Sequence, residues 1–91
     1  MVVGGKRECG GSEISKGKQP SLNECATQCK RTASMFIFGT NDYGTTRCDD
    51  EGCECYCETS ATPEGLCDQV PHNGYRLYKY LTKGNILMCN N

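Results

Sequence analysis

The chain has 91 residues, and its ten lysines and arginines nearly balance eleven aspartates and glutamates, giving a formal net charge of −1. This length gives room for one domain, residues 1–91, and the near-neutral charge argues against nucleic acid as a ligand. Only 36% of the residues are hydrophobic, and no apolar run is long enough to span a membrane.

Nine cysteines compensate for this small supply of core residues. That density in a short chain is typical of secreted proteins stabilised by disulfides, each contributing about 2–4 kcal/mol. No signal peptide is visible, so we expect a secreted chain whose targeting segment has been removed, with a cytosolic protein as the alternative. Because the number is odd, one cysteine lacks a partner within the chain. The candidates are Cys9, Cys25, Cys29, Cys48, Cys53, Cys55, Cys57, Cys67 and Cys89.

The N-terminal segment, residues 1–8, is predicted to be flexible or to form an edge element. Gly4-Gly5 and Gly10-Gly11 surround Cys9, which would tie this segment to the rest of the domain.

An amphipathic helix is predicted over residues 21–31. Ser21 and Glu24 have the spacing of a capping box, in which each side chain satisfies the other residue's free backbone N–H. Lys30 and Arg31 would lie in the last turn, where the helix dipole favours cations. The buried face has the i, i+3, i+4, i+7 pattern of Leu22, Cys25, Ala26 and Cys29.

Short strands are predicted after the helix, at residues 34–39, 53–58, 74–81 and, as an edge strand, 85–89. Turn-rich loops separate them: residues 39–52, with a tight turn at 41–44, and residues 59–73. Alternation within 53–58 places its three cysteines on one face and Glu54, Tyr56 and Glu58 on the other. The sum is an α+β fold with one amphipathic helix packed on an antiparallel sheet.

The spacing of the cysteines suggests how this fold is stapled. Cys25 and Cys29 share the buried helix face, and the cysteines of residues 53–57 share a strand face, so two disulfides can fasten the helix to the sheet. Cys9 and Cys89 lie near opposite ends and could close the chain, since termini often meet in compact domains.

Together these features resemble the PAN/apple domain. The resemblance lies in the cysteines of Leu22–Cys29, the aromatic strand Phe36–Phe38, the segment Cys53–Cys57 and the segment Tyr75–Tyr80, and it covers roughly Cys9 to Cys89. It implies a helix cradled by a curved antiparallel sheet, central disulfides between helix and sheet, and an extracellular adhesion role without catalysis. The extra cysteines, among them Cys48 and Cys67, depart from the family's usual pattern.

A ligand surface is predicted on the strand of residues 74–81. Arg76, Tyr78 and Tyr80 share one face, with Lys79 and Lys83 close by. Tyrosine rings stack on sugars, and an arginine holds a carboxylate or sulfate in a fork. The alternative is that these tyrosines fill the sheet face beneath the helix.

Other kinds of site have less support. Cys53, Cys55 and Cys57 resemble a thiolate metal site but lack duplicated zinc-knuckle spacing. The acids of residues 49–51 have no calcium-loop spacing. His72, the single histidine, has no identifiable orienting partner, and oxidised cysteines cannot act as nucleophiles.

The prediction is therefore a non-catalytic extracellular module that binds a glycan or a protein surface, with no cofactor and no metal. A homodimer through the odd cysteine is possible. The alternatives are a disulfide-linked structural or self-assembling protein, a toxin-like or defence peptide, and a thiolate metal binder. Eight of the eleven acids lie between Asp42 and Asp68, an asymmetry that could guide an anionic partner or pair copies of the chain.

Overall fold

The fold is that of a computed structural model, which describes residues 2–40, 48 and 50–80, with residues 2–6 described by their backbone alone. One helix and five strands follow one another in the order β1 (Val2–Cys9), β2 (Ile14–Gln19), α1 (Leu22–Cys29), β3 (Met35–Gly39), β4 (Cys53–Cys57) and β5 (Gln69–Lys79). The strands form one antiparallel sheet of order β1-β5-β3-β4-β2. An α+β fold with one helix on an antiparallel sheet is thus confirmed.

Helix α1 begins where the capping motif predicts. Ser21 is the N-cap, and its Oγ accepts a hydrogen bond of 3.1 Å from the backbone N–H of Glu24. The predicted end is wrong by two residues, because Lys30 is the C-cap and no basic residue lies in the last turn. The N–H groups of Thr32 and Ala33 both donate to the carbonyl of Cys29, which ends the helix and turns the chain towards β3.

Each face of the sheet carries a buried cluster. On one face α1 packs against β2, β3 and β4, and the cluster there contains Cys25, Ala26, Cys29, Phe36, Cys55, Cys57 and Tyr78. On the opposite face a second cluster contains Cys9, Met35, Ile37, Tyr75 and Leu77, covered by Ala61 and Cys67 of the connection between β4 and β5. The sheet is therefore the middle layer, between the helix and that connection.

The curved sheet that the family resemblance implies is not found. Helix α1 has eight residues and is about 12 Å long, so it covers only part of one face. A helix this short gives the strands little to wrap around.

Two disulfides join α1 to β4, as the spacing suggested. Cys25 pairs with Cys55 and Cys29 with Cys57, with Cα–Cα distances of 5.5 and 5.2 Å. All four residues are fully buried. The helix and the central part of the sheet are thus held together covalently as well as by packing.

The suggested pairing of Cys9 with Cys89 is wrong, because Cys9 pairs with Cys67. Cys9 lies opposite Gln69 in the β1–β5 ladder, which brings Cys67, two residues earlier, within reach. A fourth disulfide joins Cys48 to Cys53. Eight of the nine cysteines are therefore paired, and the ninth, Cys89, lies outside the described residues.

Several predicted boundaries also differ. Of the two alternatives predicted for residues 1–8, the edge element is found in place of a flexible segment, because residues 2–8 form most of β1, which pairs with β5 at the edge of the sheet. Strand β2 is absent from the sequence-based prediction, and β5 begins at Gln69 instead of Gly74. The predicted tight turn at 41–44 and the predicted strand at 85–89 lie outside the described residues.

Candidate functional site

A bulge in β5 shapes the candidate site. Gly5 lies opposite Arg76 while Arg7 lies opposite Pro71, so β5 has extra residues between these two pairs. His72 holds the bulge, since its Nδ1 accepts hydrogen bonds from the backbone N–H groups of Gly74 and Tyr75 at 3.1 and 3.2 Å. Bulges of this kind redirect side chains at the edges of sites.

His72 is therefore a buried structural residue and not the loop histidine that the sequence predicted. It lies within β5, is 4% exposed, and stacks its ring on Tyr75 with centroids 3.6 Å apart. An imidazole that accepts two backbone hydrogen bonds at Nδ1 has that nitrogen unprotonated. The sequence could not show this, because the backbone groups it satisfies become available only through the bulge.

Two glycines, Gly39 in β3 and Gly74 within the bulge, let β3 and β5 approach closely. A Cβ placed on Gly39 would lie 2.0 Å from the carbonyl oxygen of Gly74, and one placed on Gly74 would lie 1.9 Å from the carbonyl oxygen of Thr40. No side chain can be accommodated at either position without moving backbone. The surface there is therefore concave, with backbone as its floor.

The resulting cleft has a volume of about 250 Å³. Besides the two glycines and Tyr75, the residues that line it are Phe38, Cys48, Cys53, Asn73, Arg76 and Tyr78. Arg76 and Asn73 are exposed and Phe38 is half-buried. The cleft therefore combines a guanidinium, a side-chain amide and aromatic surface, which is a donor-rich lining for an anionic or hydroxylated group.

The guanidinium of Arg76 interacts electrostatically with Tyr78, which also lines the cleft. Burial raises the pKa of Tyr78, while the nearby Arg76 guanidinium lowers the same pKa by a smaller amount. The two residues are thus close, as expected for alternate positions on one strand face. Phe38 and Asn73, in contrast, are not among the predicted site residues; the Asn73-Gly74 dipeptide indicates a turn, but nothing in the sequence indicates that it would border a cleft.

The other predicted ligand residues are separated from Arg76 or covered. Tyr78 is 7% exposed and stacks on Phe36 with centroids 5.2 Å apart, and the hydroxyl of Tyr80 donates to the carbonyl of Ala26 in α1. Burial raises the pKa of Tyr80 as well. Both tyrosines fill the sheet face beneath the helix, which is the alternative stated above, and only Tyr78 also borders the cleft.

The two lysines do not join the cleft among the described residues. Lys79 alternates with Arg76 along β5 onto the opposite face, where its aliphatic chain packs over Gly65. Lys83 lies outside the described part of the chain. Of the predicted ligand residues, the structure therefore brings together Arg76 and Tyr78.

The described residues form a small α+β fold with four disulfides and a polar cleft. No family model, curated protein or solved structure matches the chain. Across residues 2–40, 48 and 50–80, no helix is long and apolar enough to cross a membrane. The arguments about function below therefore rest on the geometry and chemistry of this chain.

Proposed function

We propose that this protein is an extracellular, non-catalytic binding module whose cleft at Arg76 takes an acidic group of a glycan, such as a carboxylate or a sulfate. The observation that carries the proposal is the cleft itself, built by the bulge at residues 72–75 and by Gly39, with an exposed arginine at its rim. A planar guanidinium forms two parallel hydrogen bonds with such an anion.

The size and lining of the cleft favour a small polar group. Pockets for drug-sized ligands have volumes of about 300–1,000 Å³, and this cleft of about 250 Å³ is smaller. One sugar ring is therefore a suitable occupant. Asn73 offers donors and an acceptor for hydroxyl groups, and the partly exposed ring of Phe38 offers an apolar surface.

The disulfides support an extracellular location and a role without catalysis. Disulfides in this number are typical of extracellular proteins, because oxidising compartments preserve them. Eight cysteines are oxidised and cannot act as nucleophiles, and the Nδ1 atom of His72 is occupied by backbone hydrogen bonds. Both observations agree with an adhesion module of the PAN/apple type, which the pattern of cysteines resembles.

The Arg76→Ala variant tests the proposed ligand site. We expect it to lose about tenfold or more of the wild-type affinity for sialylated or sulfated glycans on an array, since a charge-assisted bidentate contact is removed. Arg31→Ala is the matched control, because Arg31 is also exposed but lies just beyond α1 and does not line the cleft. Both variants should keep the far-UV circular dichroism of the wild type.

Equal binding by Arg76→Ala and the wild type would contradict this placement of the site. Absence of wild-type binding to every acidic glycan on the array would contradict the proposed ligand class. Capture of an extracellular protein instead, lost in Arg76→Ala, would keep the cleft as the site but replace the glycan with a protein partner.

A second candidate function is a covalently linked structural protein. The four disulfides use every cysteine of these 91 residues except Cys89, so none of the other eight is left to pair with it. Such an odd cysteine is available for a disulfide between two copies. The candidate rests on this count.

A further inference from the structure

Three carboxylates come together on the face of the sheet opposite α1. Glu8, Glu13 and Glu58 each place a carboxylate oxygen within 4.8 Å of the other two. Glu8 is near the end of β1, Glu13 directly precedes β2, and Glu58 directly follows β4. Residues far apart in the sequence therefore meet at one point of the fold.

Glu58 is the unusual member of this group. Its side chain is fully buried, with 0% exposure. Its Oε2 accepts a hydrogen bond of 2.7 Å from the backbone N–H of Cys9, but its Oε1 has no hydrogen-bond partner among the residues that the structure describes. Buried carboxylate oxygens are normally paired, so this atom indicates that a further group belongs beside it.

The backbone around the three carboxylates is fixed. The N–H of Glu58 donates to the carbonyl of Met35 at 2.9 Å, and the carbonyl of Glu58 accepts from Ala61 at 3.1 Å. Ser60 ties the turn after β4 to the β1–β2 connection: its N–H donates to the carbonyl of Ser12, and its hydroxyl donates to the carbonyl of Gly10. The carboxylates are therefore held near one another by the fold before any ligand arrives.

We propose that Glu8, Glu13 and Glu58 bind a divalent cation, and that Ca²⁺ is the ion that fits them. Carboxylate oxygens alone select hard cations over zinc or copper. Ca²⁺ takes ligands at about 2.3–2.6 Å, so oxygens on opposite sides of the ion lie up to about 5 Å apart, which accommodates the 4.8 Å spread. Three protein carboxylates leave the remaining positions to water.

A proton is the rival occupant of this position. Burial, and a hydrogen bond that the protonated Glu58 carboxyl donates to Glu13, raise the pKa of Glu58 to about 8, and burial also raises the pKa of Glu8. A proton shared by Glu13 and Glu58 would reduce the repulsion as a cation does, but it would not respond to added Ca²⁺.

The test uses the oxidised full chain and calcium chloride as the probe. We expect isothermal titration calorimetry at neutral pH to show one Ca²⁺ bound, with a dissociation constant of about 0.1–1 mM, the range of extracellular sites with few protein ligands. The melting temperature should rise on adding Ca²⁺ and fall again with a chelator. Magnesium at equal concentration should have a smaller effect, because it requires ligands at about 2.0–2.1 Å.

The variant Glu13→Gln removes one ligand that is exposed and so should not disturb the core. It should bind Ca²⁺ at least about tenfold more weakly, whereas Glu64→Gln, a matched exposed acid outside the cluster, should bind like the wild type. No heat of binding and no shift in melting temperature would overturn the proposal in favour of the shared proton. Unchanged affinity in a folded Glu13→Gln variant would overturn it as well.

Discussion

Replacing both Cys29 and Cys57 with alanine should lower the free energy of unfolding by about 3–4 kcal/mol. This disulfide closes a stretch of 28 residues, so its removal returns much conformational freedom to the unfolded chain. It also releases α1 from β4 in the middle of the core, where both cysteines are fully buried. A domain of this size has a total stability of about 5–15 kcal/mol, so the loss is a large part of the whole.

The disulfide between Cys48 and Cys53 provides a matched control. Its removal also replaces two cysteines with alanine, but this disulfide spans only five residues, and Cys48 is exposed. The same loop-closure argument gives about 2 kcal/mol for its removal. Denaturant unfolding without reductant, followed by circular dichroism, measures both variants. An equal loss of unfolding free energy in the two variants, or no loss when Cys29 and Cys57 are replaced, would contradict the idea that the helix depends on its disulfides to the sheet.

Glu58→Gln should stabilise the protein at pH 8 when cations are removed with a chelator. Burial, together with Glu13, raises the pKa of Glu58 from an ordinary value of 4.5 to about 8. The folded state therefore holds a proton that the unfolded state loses at lower pH. The contribution of Glu58 to the stability of the wild type should therefore be largest below about pH 4.5. It should be lost as the pH rises to about 8.

The glutamine side chain keeps an oxygen that accepts the hydrogen bond from the N–H of Cys9, but it cannot ionise. The stability of this variant should therefore not fall between pH 4.5 and pH 8. At pH 8 it should exceed the wild type by on the order of 2–4 kcal/mol, because a tenfold change in proton affinity between the unfolded and folded states corresponds to about 1.4 kcal/mol. Unfolding curves between pH 5 and 8 measure the difference. Glu64→Gln, which changes an exposed acid, should follow the wild type. A wild-type stability that rises over this range would contradict a raised pKa for Glu58 in the folded protein.

The parts of the fold that the sequence predicts well are those whose burial follows a regular period. Helix α1 carries its apolar residues at helical spacing after a capping residue, and β3 and β4 carry buried residues in short apolar or alternating runs. The two disulfides between α1 and β4 follow from the same periods, since each set of cysteines lies on a single face.

Strand β2 could not be predicted in this way, because most of its side chains are exposed. Its burial pattern has no apolar alternation, and its ladder with β4 shifts register between Ser15 and Lys18. Gly17, within that shift, has a φ of 71°, which favours glycine. Only the hydrogen bonds to β4 make this polar segment a strand.

The candidate sites depend on contacts between distant segments, which one sequence does not encode visibly. The position of Arg76 on an aromatic strand predicts a site residue, but the cleft beside it exists because β5 bulges and because Gly39 and Gly74 meet. Alternation predicts Glu58 as an ordinary strand residue, and nothing indicates that it would be buried beside Glu8 and Glu13. The pairing of Cys9 with Cys67 likewise depends on the register of β1 on β5.

The most direct test of the account is a disulfide map of the oxidised protein, obtained by alkylating free thiols, digesting without reduction and identifying linked peptides by mass spectrometry. The structure predicts the pairs Cys9–Cys67, Cys25–Cys55, Cys29–Cys57 and Cys48–Cys53, with any alkylation or intermolecular link confined to Cys89. Free thiols at residues 25, 29, 55 and 57, or a different partner for any of them, would contradict both the stapled fold and the extracellular role that rests on it.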